Sequence, residues 1–235
     1  MKLSKNITRR DFITAAGGSI VSIGLPGVFV KVMAAENQEL AAQLRPDGRP
    51  RIPPGQHAVK ALPNMGGIKG EGNVPGWRLE ITGEVENPLT LKLSDLMGLK
   101  QITQMCDVHC VTRWTLLDSR WQGISMKTIM ELVKVKKGVG FVIFEAESEY
   151  TSSIPLSEAH KDNVMIAHGF SDQALREAQG APLRALVPDR YFYKSVKWLR
   201  RIRFTTTDEP GFYESHGYNN SADPWKEERF EKQRH

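Results

Sequence analysis

Apolar and polar residues alternate from residue 77 onward. Trp77, Leu79, Ile81 and Val85 share one face of a strand, Glu86-Asn87-Pro88 turns the chain, and Leu89, Leu91 and Leu93 alternate again. Ser94 is placed to cap a short helix through Leu99. Residues 105–110 read as extended, ending on Cys110 where the chain passes into a polar and aromatic loop. Ser125 then reads as the N-cap of a helix with Met126, Ile129, Met130 and Val133 on one face. Lys134, Lys136 and Lys137 complement its C-terminal end, and Gly138 is the expected stop. Residues 141–144, 164–167, 183–187 and 198–204 are further strand candidates, and residues 154–158 begin a helical turn. Strands and short helices interleave without a strict βαβ rhythm, which predicts an α+β fold.

Ahead of this patterned region, residues 36–76 carry Pro46, Pro50, Pro53, Pro54 and Pro63 among several glycines, the composition of an extended arm rather than a core element. Residues 1–35 form a leader: Thr8-Arg9-Arg10-Asp11-Phe12-Ile13, a weakly apolar run broken by Pro26, then Val32-Met33-Ala34-Ala35. The expected organisation is therefore leader 1–35, arm 36–76 and one domain over 77–235. At 235 residues, one sizeable domain is the natural reading.

Charge changes the picture little. The formal net charge is +5, but the leader holds Lys2, Lys5, Arg9, Arg10 and Lys31 against Asp11 alone, leaving about +1 for the rest. Nucleic-acid binding needs basic charge gathered on the folded domain, so it is set aside. The two cysteines, Cys106 and Cys110, stand four apart in an extended segment, ~13 Å between Cα atoms at ~3.3 Å per residue, too far to bridge. Cys110 by itself reads equally as a small buried hydrophobe or as a ligand whose thiolate a cation or metal stabilises. Cys106, with no loop beside it, reads as packing. A zinc site would want a second short Cys pair, and none exists.

Asp107-Val108-His109-Cys110-Val111-Thr112-Arg113-Trp114-Thr115, followed by Asp118-Ser119-Arg120-Trp121-Gln122-Gly123-Ile124, resembles the molybdenum-ligand segment of the sulfite oxidase family of molybdopterin enzymes. Gly180-Ala181-Pro182-Leu183-Arg184 and Tyr193-Lys194-Ser195-Val196-Lys197-Trp198 resemble that family's second cofactor segment, and Gly217-Tyr218 with Ala222-Asp223-Pro224-Trp225 resembles its closing stretch. The resemblance spans about residues 77–230 and is nearest to small bacterial members without a haem domain, of the periplasmic methionine sulfoxide reductase kind. The Arg pair followed by Phe12 is similar to a twin-arginine export signal, which implies a periplasmic protein exported already folded.

The resemblance implies a molybdenum–molybdopterin cofactor with Cys110 as the protein's ligand to the metal. It implies Arg184 on the pterin, Lys197 with the Ser195-Val196 backbone on the terminal phosphate, and Gln179 and Asn64 as further cofactor contacts. Physically, a guanidinium forks onto phosphate, an ammonium adds a point charge, and consecutive N–H groups form an anion nest. Tyr218 falls where the family has a pocket phenol. Trp114 stands where sulfite oxidases carry an arginine, so their sulfite pocket is not reproduced, although Arg113 is placed to face an oxyanion; Ala146 removes a pterin-contacting Thr. The implied activity is oxygen-atom transfer on a small sulfur or nitrogen oxo compound. Electrons would pass to a separate haem- or quinone-linked partner, such as a membrane-bound subunit, since the chain has no Cys-x-x-Cys-His. The alternative is a cofactor-free, non-catalytic exported module on the same fold.

Overall fold

The computed structural model describes residue 39, residues 42–67 and residues 75–231; the leader lies outside them. Two mixed sheets organise the domain. The first runs β1 (His57–Val59), β5 (Trp114–Ser125), β8 (Met165–Phe170) and β10 (Arg184–Leu186), with β4 (Ile102–His109) also on β5 and β9 (Gln173–Ala174) on β8. The second runs β3 (Leu89–Leu91), β2 (Leu79–Gly83), β11 (Leu199–Thr205), β6 (Phe141–Ala146) and β7 (Thr151–Pro155). β1 lies parallel to β5 and β2 parallel to β11; the other ladders are antiparallel. Gly83 sits at φ 87 against Phe204, where a Cβ would come within 2.1 Å of the carbonyl oxygen, so only glycine fits.

The alternation along β2 is what packs it. Trp77, Leu79, Ile81 and Val85 are all buried, and they meet Ile202 and Phe204 of β11, Phe144 of β6, and Ile124, Ile166 and Ala185 of the first sheet in one large core. Helix α2 (Met126–Val133) lays Met126, Ile129, Met130 and Val133 into this core. Ser125 is its N-cap as expected, accepting from Thr128 N–H at 3.1 Å. Ser125→Ala should therefore cost about 1 kcal/mol, measured as a lower urea midpoint with an unchanged slope.

Two expected boundaries differ. Helix α1 (Leu93–Met97) starts before Ser94 because Asp95 reaches back to accept from Lys92 N–H at 2.8 Å, making Lys92 the cap. Helix α2 stops at Lys134, not Gly138: Lys134 takes a left-handed φ of 50, and Val135 then bridges to Val85. Short helices α3 (Leu156–Ala159) and α4 (Phe212–Ser215) follow. Within the arm, His57–Val59 is a sheet strand pairing with Trp114, Thr115 and Leu116, which brings residues 55–57 beside the Cys110 turn.

Candidate cofactor and metal site

Cys110 follows β4 directly. Its turn closes with Cys110 N–H on the Trp114 carbonyl at 2.8 Å and Arg113 N–H on the Cys110 carbonyl at 3.0 Å, with Arg113 at φ 77. Gln56 donates to the Cys110 carbonyl at 3.2 Å while accepting the Thr115 hydroxyl at 2.8 Å, so the arm holds the turn. Cys110 is 5% exposed, and its sulfur accepts from Thr112 Oγ1 at 3.1 Å. Burial pushes the thiol up, while Thr112 and the nearby Arg229 guanidinium pull it back toward the thiolate. His109 offers Cys110 no cation: it is fully buried, bonded to Thr115 at 3.0 Å, and burial pushes its pKa down to about 3. Cys106 is half-buried, and its thiol is pushed up to about 12 by burial, the environment of a packing residue.

A cleft of about 80 Å³ gathers Asn64, Gln179, Arg184, Ser195 and Lys197 with Leu62, Met65, Tyr150 and Phe192. Arg184 lies on β10, buried over the Phe192 ring at 4.3 Å, and all its hydrogen bonds go to main-chain carbonyls: Gln179 at 3.0 Å, Ser195 at 2.8 Å and Ala185 at 3.3 Å. Lys197 donates to the carbonyls of Gly66 and Ala178. Among the described residues neither cation has a carboxylate partner. Burial holds Arg184 down to about 9, and burial with the Arg184 charge holds Lys197 down to about 8. Two neighbouring cations with no carboxylate partner among the described residues make a donor set suited to a phosphate-bearing ligand.

The cleft and the Cys110 turn share a wall. Leu62 and Phe192 line the cleft and also pack against the apolar cluster containing Cys110, Trp114 and Trp121. Trp114 meets Phe192 at 6.0 Å between ring centres and donates to Met65 Sδ at 3.3 Å. Cys110, Arg113 and Tyr218 themselves do not line the cleft. Arg113 is exposed, and Tyr218 sits in an aromatic cluster with Tyr193 (5.6 Å), Tyr213 (4.9 Å) and Phe230 (5.0 Å). Val196 puts its side chain into the main core. The expected nest is partly committed: Ser195 N–H already donates to Phe192 O at 3.1 Å, and its hydroxyl accepts from Val187 N–H. Arg229, Tyr213 and Gln56, all acting on Cys110 or its turn, were not marked by any sequence pattern, and Thr112 lay within the ligand segment without a role of its own.

Residues 66–213 match the model of the family described as "oxidoreductase molybdopterin binding domain". The chain belongs to that family. It is a molybdenum-dependent oxidoreductase of the sulfite oxidase type, and its cofactor is molybdenum–molybdopterin. Over 182 residues it is 36% identical to the "uncharacterized oxidoreductase YuiH" of Bacillus subtilis, covering 77% of this chain and 92% of that one. Over 161 residues it is 27% identical to the protein-methionine-sulfoxide reductase catalytic subunit MsrP of Campylobacter jejuni, covering 61% of this chain and 54% of that relative. The crystal structure of the sulfane dehydrogenase SoxCD from Paracoccus pantotrophus shares the fold, with a TM-score of 0.55 at 21% identity over 82% of this chain and 57% of that chain.

The depressed Lys197 pKa has a signed consequence. Below about pH 8 the ammonium is charged and available to an anion; above it the charge is lost. Pterin retention during dialysis should therefore fall as pH rises through about 8. In cofactor-free protein the unfolded chain binds more protons between about 8 and 10.5, so stability rises with pH across that window, and Lys197→Met should remove the rise.

Proposed function

We propose that this oxidoreductase transfers an oxygen atom to or from a small sulfur or nitrogen oxo compound, with Cys110 holding the metal. The observation that carries this is a cleft holding Arg184 and Lys197, neither with a carboxylate partner among the described residues, whose Leu62 and Phe192 wall also packs against the apolar cluster that contains Cys110. Arg184 and Lys197 would bind the pterin and its phosphate, with Gln179, Asn64 and the Ser195-Val196 main chain completing the cradle. When bound, the cofactor supplies the two-electron redox chemistry and a site for the transferred oxygen. Thr112 and Gln56 fix the Cys110 sulfur and its carbonyl, Trp114 and Phe192 keep water from the wall between them, and Arg113 and Tyr218 are the polar groups offered to substrate. Deprotonated Cys110 is a soft ligand suited to this metal.

Two electrons per turnover require a partner, for which a separate haem- or quinone-linked protein, such as a membrane-bound subunit, is the expected class. The twin-arginine leader over residues 1–35 supports export to the periplasm. The test is metal analysis and electron paramagnetic resonance on protein from the exported fraction, followed by a screen of sulfoxides, sulfite and N-oxides. One molybdenum per chain and turnover of one such class are expected. A protein without molybdenum or pterin, or one turning over none of these compounds, would reject the proposal.

A further inference from the structure

The sulfur of Cys110 has donors of its own. Thr112 is exposed, so water is available to its hydroxyl, yet Oγ1 is turned inward and donates to Cys110 Sγ at 3.1 Å. The main-chain N–H groups of Val111 and Thr112 also favour charge on that sulfur. The turn that presents them is pinned by bonds in which the sulfur takes no part. Cys110 N–H goes to the Trp114 carbonyl, while Arg113 N–H and the Gln56 amide both go to the Cys110 carbonyl. Donors from two consecutive residues therefore converge on one sulfur, the arrangement of a small anion nest. Cys106 shows the contrast: the nearby Ser119 hydroxyl is spent on the Cys106 carbonyl at 2.5 Å and stands 3.9 Å from the sulfur.

We propose that Thr112 is a positioning residue that sets the redox potential of the metal through its hydrogen bond to the Cys110 sulfur. This rests on the proposed role of Cys110 as ligand; the bond itself does not. A thiolate bonded to a metal keeps lone pairs, so a donor aimed at it stays engaged when the site is filled. Electrons added to a metal weaken its pull on the thiolate, which leaves the sulfur more negative in the reduced state. A hydroxyl donating to that sulfur then binds it more strongly in the reduced state than in the oxidised one, and the difference raises the midpoint. The two N–H groups belong to the backbone and are there whatever the side chains. The Thr112 hydroxyl is the one donor of the nest that a single substitution removes.

The test is a spectroelectrochemical titration of the molybdenum-loaded full chain as wild type, Thr112→Val and Thr112→Ser. Thr112→Val keeps the branched shape at an exposed position and should lower the midpoint by about 30 mV, a tenfold shift in the oxidised-to-reduced ratio for two electrons. Thr112→Ser retains the hydroxyl and should recover most of that shift. A residue that only held the turn would change cofactor retention without this order in the potentials. The bond is read separately in cofactor-free protein, as the rate at which iodoacetamide alkylates Cys110 at fixed pH in a Cys106→Ser background. That rate should be about threefold slower in Thr112→Val and near the wild-type value in Thr112→Ser. Equal alkylation rates in all three would remove the bond and the tuning with it. Coincident midpoints in a protein that holds molybdenum reject the tuning and leave the proposed chemistry standing. A chain that never takes up molybdenum rejects the proposed function and the tuning together, even where the alkylation rates show the bond to be present.

Discussion

Cys110→Ser should abolish turnover, by about three orders of magnitude or more, and remove one sulfur from the molybdenum coordination shell seen by X-ray absorption. The magnitude is that of losing a group bonded to the reacting centre, which sets both its charge and its orientation. Total metal is the weaker readout, because on the proposed reading Arg184 and Lys197 would hold the cofactor from another side, and bound pterin would outlast the loss of a metal–cysteine bond. The fold should survive: the site is small, slightly exposed, and already has the Thr112 hydroxyl within 3.1 Å to pair with a serine. Unchanged far-ultraviolet circular dichroism with an altered absorption spectrum is the expected pair of results. Cys106→Ser is the control, since that thiol is held protonated by burial and should leave both readouts unchanged. A full sulfur complement at molybdenum in Cys110→Ser would remove Cys110 as the ligand.

Glu214→Ala should destabilise the protein by about 3–5 kcal/mol, as should Lys194→Met, because each leaves the other charge buried without its partner. Both side chains are about 1% exposed and in direct contact. Lys194 also donates to Ser153 O at 2.8 Å and Asn220 Oδ1 at 3.0 Å, and Ser152 donates to Glu214 at 2.7 Å. Burial pushes the Lys194 pKa down, and the Glu214 carboxylate pulls it back up. Replacing both charges with apolar residues of similar volume should recover most of the loss, and urea unfolding of the three variants checks it. The pair joins the turn before Ser195 to helix α4, whose Tyr213 lies near enough to Cys110 for their charges to interact. Lower pterin retention in the single variants would follow from that placement.

Side-chain period made β2, β6 and α2 legible, because each buries one face or both against the large core. β5 was not legible: Asp118, Ser119 and Arg120 interrupt any alternation in Trp114–Ser125. Pairing holds it instead, with Asp107 accepting Asp118 N–H at 2.9 Å and Arg51 bridging both carboxylates. β7 was missed for a related reason, since its buried Ser152 and Ser153 are satisfied by Glu214 and Asp208, more than fifty residues away. The cations of the cleft were visible as charges spaced along a motif. Arg229 was not, because its nearness to Cys110 is created by the tail folding back across 118 residues to Val111.

The parallel pairing of His57–Val59 with Trp114–Leu116 carries a consequence for shortened versions of the protein. A chain starting after residue 60 would leave the β5 edge over Trp114–Leu116 as a short bare row of amide and carbonyl groups, a template for another chain. It would also lose Gln56 from the Cys110 carbonyl. Such a fragment should self-associate in a concentration-dependent way, which makes the proline-rich stretch an edge guard for the sheet.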